Sequence, residues 1–103
     1  ASRGLGDVYK RQASILKTFS EETRKSIDLL RDALEGKDRE EASRISHKLI
    51  PLFTMLGANS LVQHLRILEK NDEELTDSGW YHLLGEVIEQ ALAIVKDAES
   101  AIG

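Results

Sequence analysis

Residues 39–57 read REEASRISHKLIPLFTMLG, and this stretch decides the fold class and contains the candidate chemistry. Its apolar side chains recur at spacings of three and four, which is typical of a helix with one buried face. On a helical wheel of about 100° per residue, the predicted core stripe is Ile45, Leu49, Leu52 and Leu56, with Ala42 and Phe53 beside it. Asp38, three residues before Glu41, predicts the N-terminal cap of this helix, and Gly57 predicts its end.

His47 lies roughly opposite this stripe, so the sequence predicts an exposed imidazole. A histidine in a core would have to lie on the other face of the helix, which argues against a buried structural role. Pro51 cannot donate a backbone hydrogen bond to the carbonyl of His47, which predicts a kink or a loosened turn. His47 is therefore the candidate functional residue of this helix.

The segment before this helix shows the same helical periodicity from about Ser14 to Leu34. Ser20 is a candidate internal cap, which predicts a break, and Gly36 predicts the end of the helix. Residues 1–12 show little periodicity before Val8, and we interpret them as a loosely ordered leader or a cloning remnant.

Two more helices are predicted after Gly57. Asn59 or Ser60 is expected to cap the third helix, whose apolar side is Leu61, Val62, Leu65 and Leu68. An acidic stretch, residues 69–77, is expected to be a solvated loop, and the last helix is expected to start near Ser78. Gly85 lies inside that helix, where a missing side chain predicts close helix packing.

Composition limits the classes of protein and function. The 103 residues, 41% hydrophobic and 31% charged, suit a single globular domain. A net charge of -4 disfavours nucleic-acid binding, and the absence of cysteine excludes disulfides, thiolate metal sites and cysteine nucleophiles. No apolar run approaches the roughly 20 residues that span a bilayer. Since no strand pattern is present, we predict an all-α antiparallel four-helix bundle over residues 13–103.

From Arg44 onward the chain resembles the histidine-containing phosphotransfer (HPt) domain of bacterial phosphorelays. The likeness covers about residues 15–69. It is carried by His47, Lys48, Leu49, Leu56, Gly57, Ala58, Leu61, Leu65, Leu68 and Glu69, and upstream by Leu16, Phe19, Ile27, Leu30, Ala33 and Leu34. The resemblance implies that His47 is the phosphorylated residue and that Gly57 is the turn between the two central helices.

Two positions depart from the family pattern. The family often has a lysine three residues after the histidine and a glycine four after it, where this chain has Ile50 and Pro51. Arg44 is our preferred replacement for the missing charge, because Lys48 points to the side of His47. The expected phosphoryl-binding or partner-binding residues are Ser43, Arg44, Lys48, Ile50, Pro51 and Thr54. Leu52 and Phe53 are assigned to the core instead.

The resemblance implies a phosphorelay intermediate. We expect His47 to accept a phosphoryl group from a receiver-domain aspartyl phosphate and to pass it reversibly to another receiver domain. No kinase signature or other independent catalytic machinery is visible, so the donor must be another domain or protein, for instance a sensor kinase that ends in this module. The alternative is a helical docking or inhibitory module that is not phosphorylated.

The same resemblance sets the expected surroundings of the domain. Response-regulator receiver domains are the expected partners, and a divalent metal is expected on the receiver while the bundle binds no cofactor. We expect a cytoplasmic monomer without direct membrane or nucleic-acid contact. It is either a separate protein or the cytoplasmic part of a membrane-bound sensor kinase.

Two further histidines lie on the later helices. His82 has Glu86 four residues on, a spacing that could join two metal ligands, but two ligands are too few for a site. We therefore interpret His64 and His82 as solvated side chains on helix flanks. A hydrolase is disfavoured because no serine elbow or glycine-rich phosphate loop is present.

Overall fold

The fold was described from a computed structural model, which covers the backbone of residues 2–102 and the side chains of residues 13–101. Its four helices are α1 (Ser2–Gly36), α2 (Arg39–Met55), α3 (Asn59–Lys70) and α4 (Asp77–Ile102). Within these bounds no strand occurs, and no described helix has the length and apolar character to cross a membrane. The predicted all-helical fold is confirmed. The predicted leader, residues 1–12, falls outside the described side chains.

The helices pack as an antiparallel bundle around one core. The main contacts join α1 with α4 and α2, and they join α3 with α2 and α4. Every helix contributes side chains that are almost fully buried: Ile27 and Leu30 from α1, Ile45, Leu49 and Phe53 from α2, Leu65 and Leu68 from α3, and Trp80, Leu84, Val87 and Val95 from α4. Burying this apolar surface is the main force that holds the four helices together.

Short turns fix how α2 is connected to its neighbours. The Asp38 side chain accepts a hydrogen bond from the backbone N–H of Glu41 at 3.1 Å, which confirms the predicted cap. Gly57 has φ of +72°, a left-handed conformation that glycine adopts without steric cost, and it forms the turn before α3 as predicted. These two turns place α1 and α3 on the two sides of α2.

The predicted cap of α3 is wrong by one or two residues. Ala58 is the N-cap, and it makes no side-chain hydrogen bond. The Gly57 turn brings the Ala58 N–H to the carbonyl of Phe53 at 3.0 Å, so the chain is already turned into α3 before it reaches Asn59. Asn59 and Ser60 consequently lie in the first turn of the helix.

Two predictions about the long helices are also wrong. α1 continues through Ser20, because the buried Ser20 hydroxyl donates to Glu99 Oε2 of α4 at 2.6 Å instead of capping a new helix. Gly85 does not mark a close approach between helices, since a Cβ placed there would meet no atom within 4 Å.

The core stripe of α2 is narrower than predicted. Ile45, Leu49 and Phe53 are buried, but Leu52 is 37% exposed and Leu56 is 49% exposed. Leu56 is the C-cap residue at the end of the helix, while Leu52 is turned toward α1 and lines an open groove. Ser46, which was not assigned to the predicted stripe, is also buried.

Candidate functional site

His47 projects from the middle of α2 on the side that faces α3. Its side chain is 72% exposed, so the predicted exposure is confirmed. Nδ1 of its imidazole lies 3.1 Å from Oε1 of Glu69, near the end of α3. The site therefore consists of an accessible imidazole that a carboxylate from the neighbouring helix holds by one of its two nitrogens.

A second contact fixes the register between α2 and α3 at this point. The hydroxyl of Ser43, one turn before His47, donates a hydrogen bond to the backbone carbonyl of Glu69. Ser43 and His47 thus both reach the same residue, one through its backbone and the other through its side chain. Leu65 and Leu68, buried beneath, hold α3 against the core. The packing of α3 against the core and the Ser43 hydrogen bond therefore both help to position Glu69.

The contact with Glu69 decides which nitrogen of His47 is available for chemistry. An ionised carboxylate only accepts hydrogen bonds, so Nδ1 must carry the hydrogen in the pair. In a neutral imidazole the lone pair then resides on Nε2, to which no described residue donates a hydrogen bond. The arrangement presents Nε2 as a nucleophile at the protein surface.

Glu69 was the residue that sequence reasoning missed. It was among the residues that carry the family resemblance, but it was not assigned as a partner of His47, because 22 positions separate the two in the chain. The available signal was its place directly after Leu68 of the apolar side of α3. Once α2 and α3 are antiparallel, that flank of α3 faces His47.

The two cations nearest to His47 in sequence, Arg44 and Lys48, make no hydrogen bond to it. Arg44 pairs with Glu41 through Nε at 2.9 Å and through a second, closer contact from Nη2. The hydrogen bond from Arg44, and then the charges of Arg44 and Lys48, lower the pKa of Glu41. Both cations therefore act on Glu41, and neither makes a hydrogen bond to His47.

The remaining predicted contact residues follow His47 along α2. Pro51 and Thr54 are exposed, while Ile50 is half-buried and packs against the core. Thr54 Oγ1 donates to the Ile50 carbonyl at 2.7 Å, and α2 continues through Pro51 without a break. This part of the helix surface is thus mostly apolar, and it follows the imidazole along α2.

An open apolar groove of about 470 Å³ lies between α1 and this part of α2. Its lining residues are Ser14, Ile15, Thr18, Phe19, Glu22 and Leu52. Next to it on α2, Met55 is 86% exposed, the highest exposure among the large apolar side chains described. The assignment of Leu52 to the core is therefore wrong, whereas that of Phe53, which is fully buried, is confirmed.

The other two histidines take no part in this site. His82 is exposed beside Tyr81, which fits the expected solvated side chain. His64 is half-buried, and its Nδ1 lies 3.2 Å from Gln90 Oε1 of α4, so the expectation of a solvated flank is wrong for this residue. Among the side chains that the structure describes, no three His, Asp or Glu residues are grouped so that they could hold a metal ion.

Comparison with known proteins gives one result. No curated protein and no solved structure matches the chain significantly. The family model described as the Hpt domain matches residues 14–98, which extend over most of the chain and include His47, Glu69 and parts of all four helices. The chain therefore belongs to the Hpt domain family, the histidine phosphotransfer modules of phosphorelays.

Proposed function

We propose that this domain is a phosphorelay intermediate that carries the phosphoryl group on Nε2 of His47. It takes the group from an aspartyl phosphate of one receiver domain and gives it to the aspartate of another, and the transfer is reversible. The observation that carries the proposal is the exposed imidazole whose Nδ1 is held by Glu69, because this contact leaves Nε2 free to react. Membership in the Hpt family supplies the class of reaction.

The geometry supports a simple transfer step. The Nε2 lone pair attacks phosphorus in line, an N–P bond forms, and the bond between phosphorus and the aspartate oxygen breaks with its electron pair leaving on the carboxylate. Nδ1 keeps its hydrogen, so the ring becomes positively charged. The Glu69 carboxylate, already 3.1 Å from Nδ1, stabilises that charge. The reverse attack by an aspartate carboxylate returns the ring to its neutral form.

The partner supplies the remaining chemistry. Charge on the transferring phosphoryl group must be neutralised, and we assign this task on the receiver side to its divalent metal ion and lysine. The bundle itself offers a nucleophile and a carboxylate that orients it, without bound cofactor. It is thus a substrate and carrier in the relay, and the independent catalytic machinery belongs to its partners.

Docking of the receiver is assigned to the apolar surface beside His47. Ile50, Pro51 and Thr54 follow the histidine on α2, and the structure adds Leu52 and Met55 on the side of the α1 groove. Exposed apolar residues next to a reactive group suit a partner that excludes water during transfer. Ser43, Arg44 and Lys48 complete the polar border of this surface.

The setting of the domain is part of the same proposal. We place it as a monomer in the cytoplasm, with receiver domains as partners, either by itself or joined to a sensor kinase. A docking or inhibitory module that is never phosphorylated is the second candidate function, and the observation in its favour is Ile50 at the position where the family often has lysine.

The test is transfer from receiver domains charged with acetyl phosphate. The purified domain is incubated with several charged receivers, and intact mass with an acid-lability assay detects phosphohistidine. We expect an acid-labile adduct on the wild type and on His82→Gln, a control at another exposed histidine, but not on His47→Gln. Receivers that bind the domain without ever transferring the group would replace this proposal with the docking function.

A further inference from the structure

The relay function needs a cation that the usual family position does not provide. A phosphoryl group on His47 brings about one and a half to two negative charges to the surface of α2. Glu69 adds a carboxylate at 3.1 Å from the other ring nitrogen. The side chain three residues after the histidine is Ile50, which is half-buried and uncharged. On the bundle itself, a cation that balances the phosphohistidine must therefore come from another position.

The two cations of α2 nearest to His47 lie on the other flank of this helix. Arg44 is paired with Glu41, and Lys48 lies about 100° around the helix from His47, on the side of Arg44 and away from Ser43. His47 and Ser43, in contrast, both contact Glu69 of α3. A cation that serves His47 without leaving an existing ion pair is thus expected on the α3 side.

Helix geometry places one arginine on that side. Arg66 precedes Glu69 by three residues, so the two share a face of α3 about one turn apart. Because α2 and α3 are antiparallel, a step from Glu69 back to Arg66 runs in the same direction as the step from Ser43 to His47. At a rise of about 1.5 Å per residue, the step from Ser43 to His47 is about 6 Å and the step from Glu69 to Arg66 is about 4.5 Å, which puts Arg66 nearly level with His47 across the helix interface.

The side chain of Arg66 is also free to contact a phosphoryl group on His47. It is exposed, and it forms no ion pair with any residue in the described part of the chain. Lys70, the other cation at this end of α3, is already 3.3 Å from Asp72 and lies on the side of Glu69 away from Arg66. Arg66 is therefore the unengaged cation best placed on this flank.

We propose that Arg66 binds the phosphoryl group on His47 and replaces the lysine that Ile50 displaces. This inference rests on the proposed relay function. A guanidinium presents several N–H donors in a plane and can contact two phosphoryl oxygens at once, which a lysine cannot do in the same geometry. In the unphosphorylated protein Arg66 has no assigned partner, and the phosphoryl group provides one.

The experiment separates phosphoryl binding from receiver docking. His47 is phosphorylated with potassium phosphoramidate, a small donor that needs no receiver, and the lifetime and ³¹P resonance of the phosphohistidine are recorded. Transfer to and from charged receivers is then measured on the same proteins. The variants are Arg66→Gln, Arg66→Lys, and Lys96→Gln as the control, an exposed cation on α4 outside the proposed docking surface.

We expect Arg66→Gln to slow transfer by about fivefold to twentyfold, the range of one charge-assisted contact. It should also shift the ³¹P resonance and its pH titration. Lys96→Gln should change the transfer rate less than about twofold. Arg66→Lys should restore part of the rate lost in Arg66→Gln, and adding Ile50→Lys to Arg66→Gln should restore more. Thermal unfolding shows that each variant folds.

Three outcomes would overturn the inference while leaving the relay function intact. Equal slowing by Arg66→Gln and Lys96→Gln would indicate a general charge effect. An effect of Arg66→Gln on receiver transfer with an unchanged ³¹P resonance would make Arg66 a docking residue. A wild-type domain that is phosphorylated and an Arg66→Gln variant that matches it would show that the cation is not Arg66. If His47 of the wild type takes up no phosphoryl group from either donor, the relay function itself fails, and this inference fails with it.

Discussion

The two faces of α2 differ in what their side chains do for the protein. On the buried face, Ile45, Leu49 and Phe53 are almost completely inaccessible and hold α2 to α1 and α3. On the outward face, His47 and Pro51 are exposed and contribute little buried area. A single helix of 17 residues thus has one face that stabilises the fold and another that carries the chemistry. Stability and transfer should therefore respond to different substitutions.

Substitution of Phe53, on the buried face, should have the largest effect on the free energy of unfolding. This side chain is fully buried, and its ring makes an edge-to-face contact with Phe19 of α1 at a centroid distance of 5.9 Å. Phe53→Ala should lower the free energy of unfolding by about 3–5 kcal/mol, measured by urea denaturation. Leu52→Ala, the matched change on the exposed neighbour, should cost about 1 kcal/mol or less. Equal costs would mean that the two faces are not divided as described.

Pro51 should give a change of opposite sign on the outward face. It lies inside α2 and cannot donate to the carbonyl of His47. Pro51→Ala restores this hydrogen bond and should raise the free energy of unfolding by about 1–3 kcal/mol in the same urea assay. Lower stability of the variant would show that packing of the proline ring outweighs the missing hydrogen bond. A gain would mean that the outward face is maintained at a cost in stability.

Glu69 connects the outward face to α3, and its removal should affect transfer more than folding. Glu69→Ala removes the acceptor for Nδ1 of His47 and should slow phosphotransfer by about threefold to tenfold, or about 1 kcal/mol. Glu69→Gln keeps an acceptor without the charge and should fall between. Glu73→Ala, an exposed acid in the following loop, is the control. A transfer rate in Glu69→Ala equal to that of this control would contradict the proposed role.

The exposed ion pair between α1 and α4 involves no residue of α2 and should give the smallest effect. Arg24 holds the Glu99 carboxylate through two contacts of 2.6 Å, and Ser20 donates to it as well. The Arg24 hydrogen bonds, followed by that of Ser20, lower the pKa of Glu99 from its ordinary value of 4.5 to about 2. The stabilisation is therefore complete above pH 4.5 and is lost as the pH falls toward 2.

Thermal unfolding of Glu99→Gln across pH checks this prediction. The variant should have a slightly lower melting temperature than the wild type at pH 7, and the difference should shrink between pH 4.5 and pH 2. A difference that stays constant down to pH 2 would show that Glu99 acts through packing and not through its charge.

The sequence predicted the parts of the site that lie on one helix. His47 was placed outward from the wheel position alone, and Asp38 and Gly57 were correctly assigned to the two ends of α2. Leu52 was misplaced because a wheel predicts the centre of a buried stripe better than its edges. The edge depends on how closely α1 approaches, and the open groove there leaves Leu52 partly exposed.

The sequence by itself determined the helical class, the boundaries near α2 and the exposure of His47, because these follow from local periodicity and turn chemistry. Only the tertiary structure decided which nitrogen of His47 is free, since that depends on Glu69, which packing of α3 against α2 brings within 3.1 Å. Distances between residues far apart in the chain are set by how helices pack, and local sequence patterns do not encode them directly.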